Sequence, residues 1–210
     1  MDFRLIFIIG FVGFVVTVIL LAIIFTLLNE KKRSKNLNEQ ARRLGFQPAS
    51  KGIVTSMNFK QIKLGNKQKL YNVFTGTFNG LSIISFDLNI TIGNLGYGTG
   101  TSHGNTFKSS GIIFKKNAPI FKLQPLSTLS INGYNELFSL EGDSLFMDET
   151  FAQCVGKNYA IESNGTHVLF VPSRKRVVNI NKEIIAAYEI LQGIVQNSKY
   201  IFNSNPDIDV

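Results

Sequence analysis

Tryptophan is absent from this 210-residue chain, and it holds one cysteine, two histidines and five prolines. With 18 Phe and 6 Tyr instead, any aromatic belt at a membrane interface has to use Phe or Tyr. The lone cysteine, Cys154, excludes an intramolecular disulfide framework and fits a reducing compartment. One Cys and two His, without a C-x-x-C or H-x-x-x-H spacing, are too thin for a zinc site. No metal and no cofactor is therefore expected. Acids are also scarce: 14 Asp and Glu stand against 22 Lys and Arg, which gives a net charge of +8. Neither glycine nor proline reaches the level of a disordered chain.

The distribution of charge says more than its sum. Residues 1–45 hold seven Lys and Arg against three acids, a surplus of four, and the much longer remainder carries the other four. A nucleic-acid interface needs a denser basic stripe, so no nucleic-acid partner is expected.

Charge is missing altogether from Leu5 to Leu28, which reads LIFIIGFVGFVVTVILLAIIFTLL. As a helix this run is about 36 Å long, enough to span a hydrocarbon core of about 30 Å with some tilt. A buried core helix is rarely apolar on every face at this length. A cleaved signal peptide has an apolar core of only about 7–15 residues and a small-residue cleavage site. This run is longer and ends in Thr26-Leu27-Leu28-Asn29. The reading is an uncleaved single-pass anchor. Its C-terminal flank offers Lys31, Lys32, Arg33 and Lys35, then Arg42 and Arg43, against Arg4 on the other side. The positive-inside bias places the heavier cationic flank in the cytoplasm. The domain after the anchor is thus expected on the cytoplasmic side of a cell (inner) membrane. Abundant Asn, Ile and Lys suggest a bacterial source.

The expected organisation is an anchor at 1–28, a basic juxtamembrane stalk helix at 29–47, a soluble domain at 48–202 and a frayed tail at 203–210. Gly45 is the expected stop of the stalk helix. After Gln47-Pro48 the pattern turns to strands. Leu70–Phe78 and Leu81–Ile92 flank Asn79-Gly80, the strongest short hairpin signal, because both turn positions need positive φ. In the second strand Phe86, Leu88, Ile90 and Ile92 alternate with Asp87, Asn89 and Thr91, which predicts one buried and one wet face. Further strands are expected at Thr106–Lys116, Ile120–Leu123 and Leu137–Leu140, then Tyr159–Ser163 and Thr166–Pro172 around Asn164-Gly165. Asp148 to Val155 reads as a short helix. The last element, Lys182–Lys199, carries Ile184, Ile185, Tyr188, Leu191, Ile194 and Val195 on one stripe, with Asn181 as N-cap. The fold class is α+β: an N-terminal transmembrane helix, then a bent antiparallel sheet or partial barrel of hairpins closed by a C-terminal amphipathic helix.

Three short motifs carry a resemblance. Ala41-Arg42-Arg43-Leu44-Gly45-Phe46 after the stalk, Phe86-Asp87 leading toward a Gly-rich loop, and Pro119-Ile120-Phe121-Lys122-Leu123-Gln124-Pro125 resemble bacterial membrane-anchored proteins of uncharacterised domain families. That resemblance implies an architecture and no site. Strands followed by a closing helix also resemble pleckstrin-homology-like domains, at the level of fold alone.

No residue set satisfies a known catalytic arrangement. The Gly-rich loop 93–104 lacks the Lys of a P-loop and the helix of a dinucleotide fingerprint. Ser102 and His103 are adjacent, and neighbours on an extended segment point to opposite sides. No G-x-S-x-G elbow occurs. Only composition offers Cys154 and His167 as a nucleophile pair, and a lone Cys and His are more often ordinary packed or surface residues. The acids Glu136, Glu141, Asp143, Asp148 and Glu149 lack the alternate spacing of a calcium loop. The candidate contacts that remain are cationic: Lys31, Lys32, Arg33 and Lys35 on the stalk, and Arg174, Lys175 and Arg176 on a loop, facing anionic lipid headgroups. The first expectation is a membrane-tethered, non-enzymatic interaction module for a protein partner. The second is an anionic-lipid headgroup binder, and a membrane-bound hydrolase comes third.

Overall fold

The computed structural model describes residues 3–63, 67–92, 105–125, 138–142, 159–172 and 177–204. The chain divides into two compact units, Met1–Glu39 and Gln40–Val210. The Gly-rich loop 93–104, the helix expected at 148–155, Cys154, and Arg174 to Arg176 lie outside the described residues.

The first unit belongs to α1, Phe3–Arg43. Its side chains from Phe11 to Leu28 are exposed around the whole circumference. It is long and apolar enough to cross a membrane. The two described hydroxyls in the apolar run are satisfied inside the helix. Thr17 Oγ1 donates to the Gly13 carbonyl and Thr26 Oγ1 to that of Ala22, both at 2.8 Å. This is how a polar group is tolerated where no water is available. Anchor and stalk form one continuous helix, which ends where Gly45 takes φ +74°. There the Phe46 N–H donates to the Ala41 carbonyl at 2.8 Å, the wide bond of a Schellman stop.

The second unit is an α+β domain. Its strands are β1 (Gln47–Pro48), β2 (Lys67–Phe78), β3 (Leu81–Ile92), β4 (Asn105–Lys115), β5 (Phe121–Pro125), β6 (Phe138–Gly142), β7 (Tyr159–Ser163) and β8 (His167–Pro172). They form one open antiparallel sheet in the order β1-β2-β3-β4-β8-β7-β5-β6. Among the described residues two helices accompany it: α2 (Lys51–Ser56), which the sequence pattern did not announce, and α3 (Ile180–Ser204).

Asn79 and Gly80 adopt φ +48° and +78°, and Phe78 faces Leu81 across a two-residue turn. Asn164-Gly165 works differently. Only Gly165 is at positive φ, and the loop is wider. The Asn164 side-chain oxygen accepts from the N–H groups of Thr166 and His167, at 3.2 and 2.9 Å. Between Tyr71 and Phe74 the β2 register slips by one residue at a bulge, with Asn72 at φ +47°. Opposite Phe86, position 111 has to be glycine, because a Cβ there would enter the Phe86 ring.

The expected wet face of β3 is not observed. Ile83 through Leu88 are all buried, because both faces of the sheet are covered. On one side Val54 of α2 and Phe59 and Ile62 of the following turn join Leu70, Ile84, Phe86, Leu88, Ile113 and Leu169. On the other, Tyr188 of α3 sets its ring 5.5 Å from that of Phe78 and 6.3 Å from that of Phe114. Asp87 is 3% exposed and fully engaged. Ser110 Oγ donates to it at 2.6 Å and Asn72 Nδ2 at 2.9 Å, while Ser110 Oγ accepts from the Val177 N–H at 3.0 Å. A buried carboxylate is tolerable only with such donors.

Helix α3 begins two residues before the expected Lys182. Its cap is Asn179, not Asn181: the Asn179 Oδ1 accepts from the Lys182 N–H at 3.1 Å. Gln40 closes the same end, donating to the Val178 carbonyl at 3.0 Å and accepting from the Ile180 N–H at 2.9 Å. The stripe also shifts. Ile180, Ile184, Ala187, Leu191 and Ile194 are buried, whereas Ile185 is 40% exposed. Burial, and then the hydrogen bond to and charge of Glu183, hold the Tyr159 phenol far above its usual range. Its hydroxyl donates to Glu183 Oε1 at 2.5 Å.

Candidate functional site

Helix α2 is capped by Ser50, whose backbone is extended and whose Oγ accepts from the Gly52 N–H at 3.3 Å. It stops after one and a half turns, and Asn58 follows at φ +61°. The turn 57–63 then doubles back under β7. It is held there by Glu162, a buried carboxylate on β7. Glu162 Oε1 accepts from the Lys60 N–H at 2.7 Å and Oε2 from the Gln61 N–H at 2.8 Å. Charge-assisted bonds of this kind are the stronger class. Gln61 Nε2 adds a bond to the Leu123 carbonyl at 3.3 Å, and Asn164 Nδ2 one to the Met57 carbonyl at 3.1 Å.

This arrangement leaves a hollow of about 350 Å³ between α2, the turn and the start of β2. Val54, Phe59, Ile62 and Leu70 make its floor, and Thr55 and Gln68 contribute polar wall. Three lysines complete it: Lys51 from α2, Lys63 from the turn and Lys69 from β2. None of the described lining residues is acidic. The ammonium groups of Lys51 and Lys69 stand 5.6 and 5.4 Å from the centre of the Tyr71 ring, a cation–π arrangement that draws both toward the same place. Lys63 Nζ donates to Asn58 Oδ1, a neutral partner. Three positive charges with no acid among the described lining residues make a local field that attracts anions.

Of the cationic residues that sequence reasoning selected, those of the stalk belong to the first unit, and Arg174 to Arg176 lie outside the described residues. Lys31, Lys32 and Lys35 are exposed on α1 and Arg33 is half-buried there, all in the first unit. The pocket lysines belong to the second. Their signal was present but spread out: residues 40–86 contain seven Lys and Arg and not one Asp or Glu. The chain lacks acids over the whole stretch that builds the pocket.

Catalytic chemistry finds no support among the described residues. His167 has a hydroxyl neighbour, Thr166 Oγ1 at 2.9 Å from Nδ1. Burial, and then the charge of Lys115, hold its pKa below the ordinary histidine value. A general base in a dyad needs an acid to orient it, whereas the charge that acts on His167 is that of a cation. Among the described residues no group of three His, Cys, Asp or Glu is placed to hold a metal ion. The two buried carboxylates, Asp87 and Glu162, have accepted hydrogen bonds from the chain itself. Comparison with protein-family models, with curated proteins and with solved structures gives no match to this chain.

Proposed function

We propose that this chain is a single-pass membrane protein whose second unit is a non-enzymatic binding module, held on the cytoplasmic side, for an anionic ligand. The observation that carries the reading is the hollow rimmed by Lys51, Lys63 and Lys69 with no acid among its described lining residues. It favours anion binding over docking of an unspecified protein surface, because a partner of no particular charge does not call for three lysines from three separate elements at one hollow. Tethering by α1 raises the module's concentration near membrane-derived ligands. The structural alternative is that lysines on the free side of β2 discourage edge-to-edge pairing of sheets. That accounts for Lys67 and Lys69, but not for Lys51 and Lys63, which come from other elements.

The test compares two ligands with the same chain, one anionic and one whose phosphate charge is offset by a choline group. Full-length protein in nanodiscs of zwitterionic lipid is treated with an amine-acylating reagent. Octyl phosphate is expected to slow acylation of Lys51, Lys63 and Lys69 several-fold relative to Lys115 and Lys116. Octyl phosphocholine is expected to leave all five unchanged. Equal protection by both, or protection that includes Lys115 and Lys116, overturns the reading.

The orientation rests on Lys31, Lys32, Arg33 and Lys35 following the apolar run. Protease added to intact cells should leave the domain uncut, and opened cells should lose it. Cleavage in intact cells would place the domain outside.

A further inference from the structure

We infer that the anionic ligand is an extended acidic segment of a partner protein, which adds to the sheet as a strand along residues 67–71, the start of β2. The inference rests on the anion-binding reading and names its ligand class.

The first observation is the edge of the sheet. β2 has β3 on one side and β1 on the other. β1 reaches only Phe74 and Thr75, and the Ala49 N–H continues its line with a bond to the Val73 carbonyl at 2.8 Å. There the chain turns off into α2. Among the described residues no strand lies beside 67–71 on that side. The hollow lies at this place: Gln68, Lys69 and Leu70 line it from the sheet, and Lys51, Val54 and Thr55 from the helix. A peptide added to a sheet edge takes its affinity from main-chain hydrogen bonds and its specificity from alternate side chains. It asks nothing of the hollow's floor, where Val54, Phe59, Ile62 and Leu70 are all buried.

The second observation is the pattern of charge along that edge. The register with β3 is regular from Lys67 to Tyr71, and the bulge comes only after Tyr71. Lys67, Lys69 and Tyr71 therefore share one face of β2, and Gln68 and Leu70 the other. Lys51, from α2, and Lys69 both bring their ammonium groups to the Tyr71 ring, at 5.6 and 5.4 Å. These cations stand along the edge and not within the hollow. On an added strand every second side chain lies on the face of Lys67, Lys69 and Tyr71, and acids at those positions meet the lysines across the pair. Lys63 flanks the other face, where Gln68 Nε2 donates to its carbonyl at 3.0 Å. Residues 40–86 contain no acid that would compete.

The third is what the arrangement disfavours. Lysines on an edge keep like sheets apart, and a second copy of this edge would set lysine against lysine. The same charge admits a strand of opposite sign, so it selects among strands rather than refusing all of them. A compact anion is disfavoured on different grounds. Cradles for phosphate offer a set of unused N–H groups to the oxygens. Here the N–H groups of Lys60 and Gln61 are engaged by Glu162, those of Gly52 and Ile53 by Ser50, and that of Lys63 by the Lys60 carbonyl.

The experiment varies charge and backbone separately on the full-length protein in zwitterionic nanodiscs. Its readouts are lysine acylation and hydrogen exchange in residues 67–71. The probes are a short end-blocked peptide of alternating glutamate and threonine, the same peptide with every backbone nitrogen methylated, a lysine–threonine counterpart, and octyl phosphate. The glutamate–threonine peptide should slow acylation of Lys51, Lys63 and Lys69 several-fold relative to Lys115 and Lys116, and should slow exchange in 67–71 as well. Methylation keeps the charge and removes the donors, so the methylated peptide should lose both effects. The lysine–threonine peptide should show neither. Octyl phosphate should slow acylation and leave exchange unchanged. Lys69→Glu, at an exposed position, should weaken binding of the acidic peptide several-fold while the melting temperature holds. If octyl phosphate protects and the acidic peptide does not, or if the methylated peptide protects equally, the anion site stands and strand addition is wrong. If neither octyl phosphate nor the acidic peptide protects, both readings fall. Slow exchange in 67–71 without any peptide, lost in a variant carrying Asp207→Asn and Asp209→Asn, would make a segment of this chain the occupant and overturn the partner. Slow exchange that depends on the number of copies in each disc would make the occupant a second copy and overturn it too.

Discussion

Leu191→Ala is expected to lower the melting temperature of the full-length protein in detergent by roughly 5–15 °C. The side chain is 0% exposed, in line with Ile184, Ala187 and Ile194, which are as fully buried. Removing a buried leucine costs about 2–5 kcal/mol, from the lost transfer energy and the cavity left behind. A domain's net stability is only about 5–15 kcal/mol, and each kcal/mol moves the midpoint by about 2–4 °C at this size. The rest of α3 cannot close the gap. Tyr188 is fixed between the rings of Phe78 and Phe114, and Tyr159 is tied to Glu183. Glu189→Ala, at an exposed position on the same helix, should leave the midpoint within about 2 °C. Equal midpoints for Leu191→Ala and wild type would mean that α3 does not pack on its own sheet.

Local signals were readable in the chain wherever one residue type decides a conformation. Asn79-Gly80 set the β2–β3 turn and with it the register of two twelve-residue strands. Gly45 marked the end of α1, and the uncharged run from Leu5 marked its apolar part. The readings that failed depend on partners distant in sequence. Alternation in β3 reported which side chains are polar, not which are wet. Asp87 is buried because Asn72 and Ser110, on the two neighbouring strands, supply its donors. The stripe on α3 was drawn through the larger side chain, Ile185, while the structure buries the small Ala187 at close packing and leaves Ile185 outside. Between two asparagines two residues apart, the one with Gln40 beside it to close the helix end became the cap.

The pocket was hidden for the same reason. Lys51, Lys63 and Lys69 come from a helix, a turn and a strand, and α2 has only six residues, too few for a periodic pattern. What brings them together is a carboxylate on β7, about a hundred residues further along the chain. Nothing in the spacing of residues 51–69 points to Glu162.

Glu162→Ala is therefore expected to damage fold and pocket together. The substitution strands the N–H of Gln61 in a buried setting and that of Lys60 in a half-buried one. An unsatisfied buried donor costs about 1–3 kcal/mol, so the pair costs about 2–6 kcal/mol in the limit where nothing rearranges. The turn has a less expensive response, which is to come away from β7 and let water reach both amides. Local opening of this kind takes less free energy than global unfolding. The expected result has two parts. The melting temperature falls by at least about 5 °C, and the amides of Lys60 and Gln61 lose hydrogen-exchange protection by a larger factor than those of β3 and β4. Because the turn carries Lys63 and the floor residues Phe59 and Ile62, octyl phosphate protection of Lys51 and Lys69 should weaken in the same variant. Glu162→Gln retains one acceptor and sets an N–H₂ group against the second amide, so it should fall between wild type and Glu162→Ala in all three measurements. Unchanged exchange at Lys60 and Gln61 in Glu162→Ala would show that the carboxylate does not hold the turn.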